Sequence, residues 1–153
     1  IDLVIGAAGG AEQMLGLLTS RLDPATQRSA GVRKEALMAV NNIATGSDAH
    51  KELLMGAGVP ALLLHYMRDG AEGAVWGRLY ATWTVINLTY VENAATAEAR
   101  ALATGRAHRM RVAGLEAQLQ EMEDDPSQDV QERVRTALKS MEELLDAHDA
   151  MDT

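Results

Sequence analysis

The chain contains no cysteine and no phenylalanine, and only three of its 153 residues are proline. Without cysteine it has no disulfide, no thiolate zinc site and no cysteine nucleophile. No apolar run approaches the roughly 18 residues of a membrane span, and the start, IDLVIGAAGG, lacks the basic region of a signal peptide. These features favour the cytoplasm or nucleus and predict no membrane partner. Because the chain begins abruptly at an apolar residue, we expect a fragment of a longer protein.

Negative charge is concentrated at one end of the chain. The net charge is −8, and the segment Glu121 to Thr153 carries 11 acidic residues against only Arg133, Arg135 and Lys139. Phosphate binding requires a positive field, so nucleic acid is not expected as a partner. The acidic segment is either a solvated helix and tail or a surface that attracts a basic peptide or protein.

Residues that begin and end helices recur along the chain. Ala, Leu and Met dominate and almost nothing alternates with period two, which predicts an all-α protein. Three short apolar helices are expected within residues 10–24, 58–70 and 114–126, each opening at Gly and closing at Asp followed by Pro or Gly. Longer amphipathic helices follow at 32–44, 75–89 and 130–144. Ser47 and Asp48 are expected to cap a further helix that holds residues 50–55.

These helices repeat. Aligning Asn42 with Asn87 gives a step of 45 residues, and a helical period near 40–47 is typical of armadillo and HEAT arrays. The block NNIATGSDAHKELLMGAGVPALLLHYM followed by ATWTVINLT resembles the armadillo repeat, best over residues 32–90. The resemblance implies a right-handed armadillo-like α–α superhelix of about three repeats in one domain, with repeats near 6–48, 49–92 and 93–149.

The third repeat is longer than the second. Asn87 and Gly114 are 27 positions apart, whereas Asn42 and Gly58 are 16 apart, so the Ala-rich segment 91–112 holds about 11 additional residues. Its composition predicts either one lengthened helix or two short ones, protruding from the superhelix. The acidic last helix is expected to close the stack as a polar cap.

An aromatic strip on one helix is the main candidate site. At 100° per residue, Trp76, Tyr80, Trp83, Asn87 and Tyr90 fall within one narrow strip. The strip is either part of the core, with Asn87 satisfied inside it, or a surface that binds something.

The resemblance implies that third helices line a concave groove, with the family's Trp and Asn at Trp83 and Asn87. Met38 and Asn42 occupy those places in the preceding repeat. An asparagine amide pairs with both groups of an extended peptide backbone, and Trp83 offers a wall for a Lys or Arg stem. Glu35 is placed to meet a positive charge. The candidate partner-binding residues are therefore Trp83, Asn87, Asn42, Tyr80, Trp76, Met38 and Glu35.

The first hypothesis is a non-enzymatic interaction module that binds an extended, basic peptide segment. The alternatives are a scaffold or chaperone-cofactor-like segment that clasps a folded domain, or an assembly module that self-associates through its exposed repeat ends. The four histidines are scattered, with no pair at metal-ligand spacing, so neither a metal nor another cofactor is expected.

Overall fold

The computed structural model describes residues 10–92 and 94–149. This part of the chain forms eight α-helices and no strand, which confirms the all-α prediction. A short 3-10 turn, Glu72–Ala74, leads into the fifth helix, and the start of the predicted first repeat, residues 6–9, lies outside the described residues. In chain order the helices are α1 (Ala11–Leu22), α2 (Ala30–Ala44), α3 (Asp48–Gly56), α4 (Val59–Arg68), α5 (Val75–Thr89), α6 (Ala97–Val112), α7 (Leu115–Glu121) and α8 (Gln128–Asp149).

Hydroxyl side chains cap the start of three helices. Ser29 precedes α2, Ser47 precedes α3 and Thr96 precedes α6, and each accepts a hydrogen bond from a backbone N–H three residues later, at 3.4, 3.4 and 3.1 Å. Each bond satisfies one of the N–H groups that a helix start leaves unpaired, which stabilises the helix by about 1 kcal/mol. The predicted cap at Ser47, with Asp48 in the first turn of α3, is confirmed.

Glycine in the left-handed region joins α3 to α4 and α6 to α7. Gly58 has φ 78° and Gly114 has φ 91°. A residue with a Cβ atom pays roughly 1–2 kcal/mol in this conformation, so glycine is favoured at both turns. The turn between α6 and α7 therefore repeats the glycine turn between α3 and α4.

The helices pack in two layers around an aliphatic core. α2 contacts α5 and α5 contacts α8, while α1, α4 and α7 pack against α2, α5 and α8 respectively. α3 and α6 contact each other along one edge. The solvent-exposed side of α2, α5 and α8 is named the α2–α5–α8 face. The layers bury an aliphatic core that includes Leu37, Val40, Val85, Leu88, Val134 and Met141.

Within the segment 91–112, residues 97–112 form one lengthened helix, α6, which decides between the two arrangements predicted for this segment. Its first turns, residues 97–102, are mostly exposed, but Ala103, Ala107 and Met110 are fully buried against neighbouring helices. α6 contacts α5, α7 and α8. The expected protrusion is therefore wrong for the second half of the helix, because that half is part of the core.

Candidate functional site

The α2–α5–α8 face brings most of the predicted site residues together on adjacent helices. On α2, Glu35 and Asn42 are exposed and Met38 is half-buried. On α5, Trp83 is 38% exposed, which is high for a tryptophan, and Asn87 is half-buried. Aromatic, amide and carboxylate groups thus share one solvent-facing surface, as a recognition site requires.

The aromatic strip divides between core and surface. Trp76 is half-buried and packs against the buried Tyr66 of α4, with ring centroids 5.6 Å apart. Tyr80 stacks on Trp83, with centroids 6.4 Å apart and planes 17° apart, and also packs against the core. Trp76 therefore holds α4 to α5, whereas Trp83, supported from one side by Tyr80, and Tyr90 at the end of the strip reach solvent.

A cation from the same chain lies on Trp83. The Arg133 guanidinium carbon of α8 is 4.7 Å from the Trp83 ring centroid. At this distance the attraction between a cation and an aromatic ring contributes about 0.5–2 kcal/mol, and the larger value applies when the pair is shielded from water. The sequence predicted that a partner's Lys or Arg would use this wall, whereas here an intramolecular arginine occupies it.

Asn87 is linked to α2 through Asn41. Its Nδ2 donates to Asn41 Oδ1 at 2.9 Å. Asn42, the residue that the repeat alignment matches to Asn87, is exposed one position further along α2. On the other side of α5, Ser140 Oγ donates to Thr89 Oγ1 at 2.8 Å. Short polar side chains thus fix the lateral register of α2, α5 and α8.

The Asn87 amide keeps part of its hydrogen-bonding capacity. A side-chain amide carries two donors and an acceptor oxygen, and the bond to Asn41 uses one donor. Within residues 10–92 and 94–149, no group donates to Asn87 Oδ1. One donor and the acceptor therefore remain for a ligand, which is the pair that an extended backbone needs.

Comparison with solved structures follows this geometry. A designed armadillo repeat protein superposes with a TM-score of 0.62 at 23% identity, covering 88% of this chain and 48% of that protein. The fold is armadillo-like. A second designed armadillo repeat protein, solved in complex with a (KR)4 peptide, gives a TM-score of 0.43 at 20% identity and covers 98% of this chain and 74% of its own. Neither a family model nor a curated protein sequence matches the chain.

Within the armadillo-like fold, two buried arginines fix the ends of α5, the central helix of the site. Near its start, Arg78 Nε binds Asp125 Oδ2 at 2.6 Å and Nη2 binds Oδ1 at 3.3 Å. Near its end, the carbonyl oxygen of Leu88 accepts a hydrogen bond at 2.8 Å from the fully buried Arg106 of α6. These interactions hold the helix that carries Trp83 and Asn87.

Arg106 also pairs with two carboxylates of α3. Its Nη2 lies 2.8 Å from Asp48 Oδ1, and its Nη1 lies 3.2 Å from Glu52 Oε1. Burial lowers the pKa of the nearby Lys51, and the positive charge of Arg106 lowers it further, against an opposing effect of Asp48. Lys51 donates to the Tyr90 carbonyl oxygen at 3.3 Å and lies 5.7 Å from that residue's exposed ring. This cluster joins α3, α5 and α6, and Asp48, Lys51 and Tyr90 also line a cavity of about 390 Å³ beside it.

The prediction from sequence missed Asn41 and Arg133. Extending the repeat alignment by one turn would have found Arg133, because Glu35, Tyr80 and Arg133 occupy equivalent positions on α2, α5 and α8. Nothing local distinguishes Asn41 from Asn42, since the choice depends on how α2 is rotated about its axis. The described residues hold no cluster of three or more His, Asp or Glu suited to a metal ion, and none of their helices is long and apolar enough to cross a bilayer.

Proposed function

We propose that this chain is a non-enzymatic protein-interaction module that binds an extended peptide segment of a partner protein across the α2–α5–α8 face. The observation that carries the proposal is Asn87, whose amide retains a donor and an acceptor beside the exposed ring of Trp83. An extended segment leaves its backbone N–H and C=O groups unpaired, and an amide pairs with both.

The spacing of the layer suits an extended ligand. Neighbouring packed helices lie roughly 8–10 Å apart, and an extended chain advances about 3.3 Å per residue. Asn42 on α2 and Asn87 on α5 would therefore meet backbone groups about three residues apart. Glu35, exposed on the same helix as Asn42, favours a basic side chain of the partner at the α2 end of the face.

A positional peptide library tests this function. Extended eight-residue peptides, each with one fixed position, are screened against the wild-type chain by fluorescence polarisation. Asn87→Ala removes two potential hydrogen bonds worth about 0.5–1.5 kcal/mol each, so we expect the Kd to rise by about fivefold to a hundredfold. Val112→Ala is the matched control, because Val112 is 88% exposed on α6 and lies outside the face.

Helix content measured by circular dichroism establishes that each variant is folded. If folded Asn87→Ala and Trp83→Ala variants bind the selected peptides as tightly as the wild type, the face is not the binding surface. Loss of binding in Val112→Ala alone would likewise contradict the proposal, because it would place the peptide outside the face.

A further inference from the structure

We infer that Arg133 makes the α8 end of the α2–α5–α8 face a receptor for an acidic side chain of the partner rather than a basic one. The inference rests on the proposed function, since the carboxylate belongs to the bound segment. It reverses, at this one position, the charge preference that the sequence suggested for Trp83.

The aromatic surface that would receive a cation is already occupied. Arg133 lies 4.7 Å from the Trp83 ring centroid, and Tyr80 stacks beside the same ring. A Lys or Arg of the partner would have to displace the guanidinium, or approach it at short distance with a charge of the same sign. Like charges a few ångströms apart repel, most strongly where the pair is partly shielded from water.

Arg133 has no acidic partner among the described residues, unlike four other arginines of the chain. Arg78, Arg106, Arg109 and Arg111 each pair with a carboxylate. Among the described residues, no carboxylate lies within 4.0 Å of Arg133, although Asp129 and Glu132 are exposed on the same helix. Its positive charge is therefore available to a ligand.

The geometry of the guanidinium determines which atoms remain for binding. Nε is buried without a partner, whereas the two Nη nitrogens are neither buried in this way nor hydrogen-bonded within the described part of the chain. The guanidinium already lies against the Trp83 ring, so little side-chain freedom is lost on binding. A planar, oriented pair of donors is the group that binds a carboxylate with two parallel hydrogen bonds.

Two side chains of opposite charge, Glu35 and Arg133, thus lie on the two outer helices of the face. Glu35 is exposed on α2 and Arg133 lies on α8, with Trp83 and Asn87 of α5 between them. Two helix spacings amount to roughly 16–20 Å, or about five to six residues of extended chain. The preferred segment has a basic residue for the α2 end and an acidic residue about five or six positions away.

Nuclear magnetic resonance of the two tryptophan side chains tests the charge preference directly. The indole N–H of Trp83 reports the site, and that of Trp76, packed against Tyr66, is the internal reference. The labelled wild-type chain is titrated with N-acetylglutamate amide and, separately, with N-acetyllysine amide. We expect a saturable shift of the Trp83 signal with the glutamate probe alone.

Arg133→Gln is the decisive variant, and Arg135→Gln is its control, because Arg135 is exposed on the same helix and, among the described residues, hydrogen-bonds only to Gln131, at 3.2 Å. We expect Arg133→Gln to weaken the glutamate response at least fivefold and Arg135→Gln to leave it unchanged. In the peptide library, the wild type should prefer Glu over Lys at the α8 end by about fivefold, and Arg133→Gln should abolish or reverse that preference.

A Trp83 response to the lysine probe in the wild type, or an unchanged glutamate response in Arg133→Gln, overturns the inference. The absence of any Trp83 response to the glutamate probe also overturns it. The proposed function fails separately: the small probe would still shift Trp83, but no extended peptide would bind.

Discussion

Removing one carboxylate from each buried arginine should have very different consequences. Arg78 is 3% exposed, and among the described residues the only carboxylate that it contacts is that of Asp125. Asp125→Ala removes this carboxylate. Arg78 would keep only the carbonyl oxygens of Asp69 and Ala71, at 2.7 and 3.2 Å. Asp48→Ala leaves the fully buried Arg106 paired with Glu52 and with the Leu88 carbonyl.

The magnitudes follow from what remains around each charge. A buried charge that loses its partner costs about 3–5 kcal/mol, and Asp125 Oδ1 also accepts the Ser127 N–H at 2.9 Å, which adds about 1 kcal/mol. Asp48 has a side chain 37% exposed, and its loss removes a partly screened pair and a favourable charge at the start of α3, together about 1–2 kcal/mol. Asp125→Ala should therefore lower the free energy of unfolding at least twice as much as Asp48→Ala does.

Urea unfolding measures the difference. Circular dichroism follows all helices, and tryptophan fluorescence follows α5, so coincident transitions establish that the chain unfolds as one unit. For a chain of this size the expected losses correspond to roughly 8–24 °C in Tm for Asp125→Ala and less than about 8 °C for Asp48→Ala. Equal destabilisation of the two folded variants, or a larger effect of Asp48→Ala, would refute the assignment of Arg78 as the less replaceable charge.

Three further predictions concern individual residues. Gly58→Ala should destabilise by about 1–2 kcal/mol through its φ of 78° alone, since no atom lies within 4 Å of the new Cβ, whereas Gly56→Ala, with equally open space and no left-handed φ, should be neutral or slightly stabilising in the same urea assay. Trp76→Ala should cost roughly 2–4 kcal/mol and Trp83→Ala about 1 kcal/mol, and the reverse order would mean that the packed and exposed ends of the strip are wrongly assigned. Burial raises the pKa of Tyr66 from 10.0 to about 12; the charge of Arg33 opposes this shift and that of Asp23 adds to it. The contribution of Tyr66 to stability is therefore complete below pH 10 and is lost between pH 10 and 12. An absorbance titration at the tyrosinate band should show a late phase that Tyr66→Phe removes. Stability is then measured against pH for the wild type and for Tyr66→Phe. Subtracting one curve from the other cancels the opposite effect of Lys51, whose lowered pKa makes stability rise with pH.

The helices could be predicted from the sequence because their signals are local. The segment 75–89 was predicted with both bounds correct, and the short helices within 58–70 and 114–126 follow their glycines as expected. Gly58 and Gly114 adopt a backbone conformation that few other residues tolerate, so their positions mark the turns without any tertiary information.

The candidate site was predicted less completely. Repeat alignment placed Trp83, Asn87 and Asn42 on third helices, and the structure places all three on the α2–α5–α8 face. The alignment did not show that Trp76 packs against Tyr66 or that Asn87 binds Asn41. Those contacts depend on the rotation of each helix about its axis, which changes by about 100° for each residue.

The sequence by itself determined the all-helical composition, the repeat spacing and the places where the chain turns, because each is set by residues within a few positions of one another. Only the tertiary structure decided that Arg133 covers Trp83 and that Arg106 is buried in α6. Arg133 lies 50 residues from Trp83, and Arg106 lies 58 residues from Asp48. The charge of an arginine indicates that it needs a partner, but only the packing of distant helices brings that partner within reach.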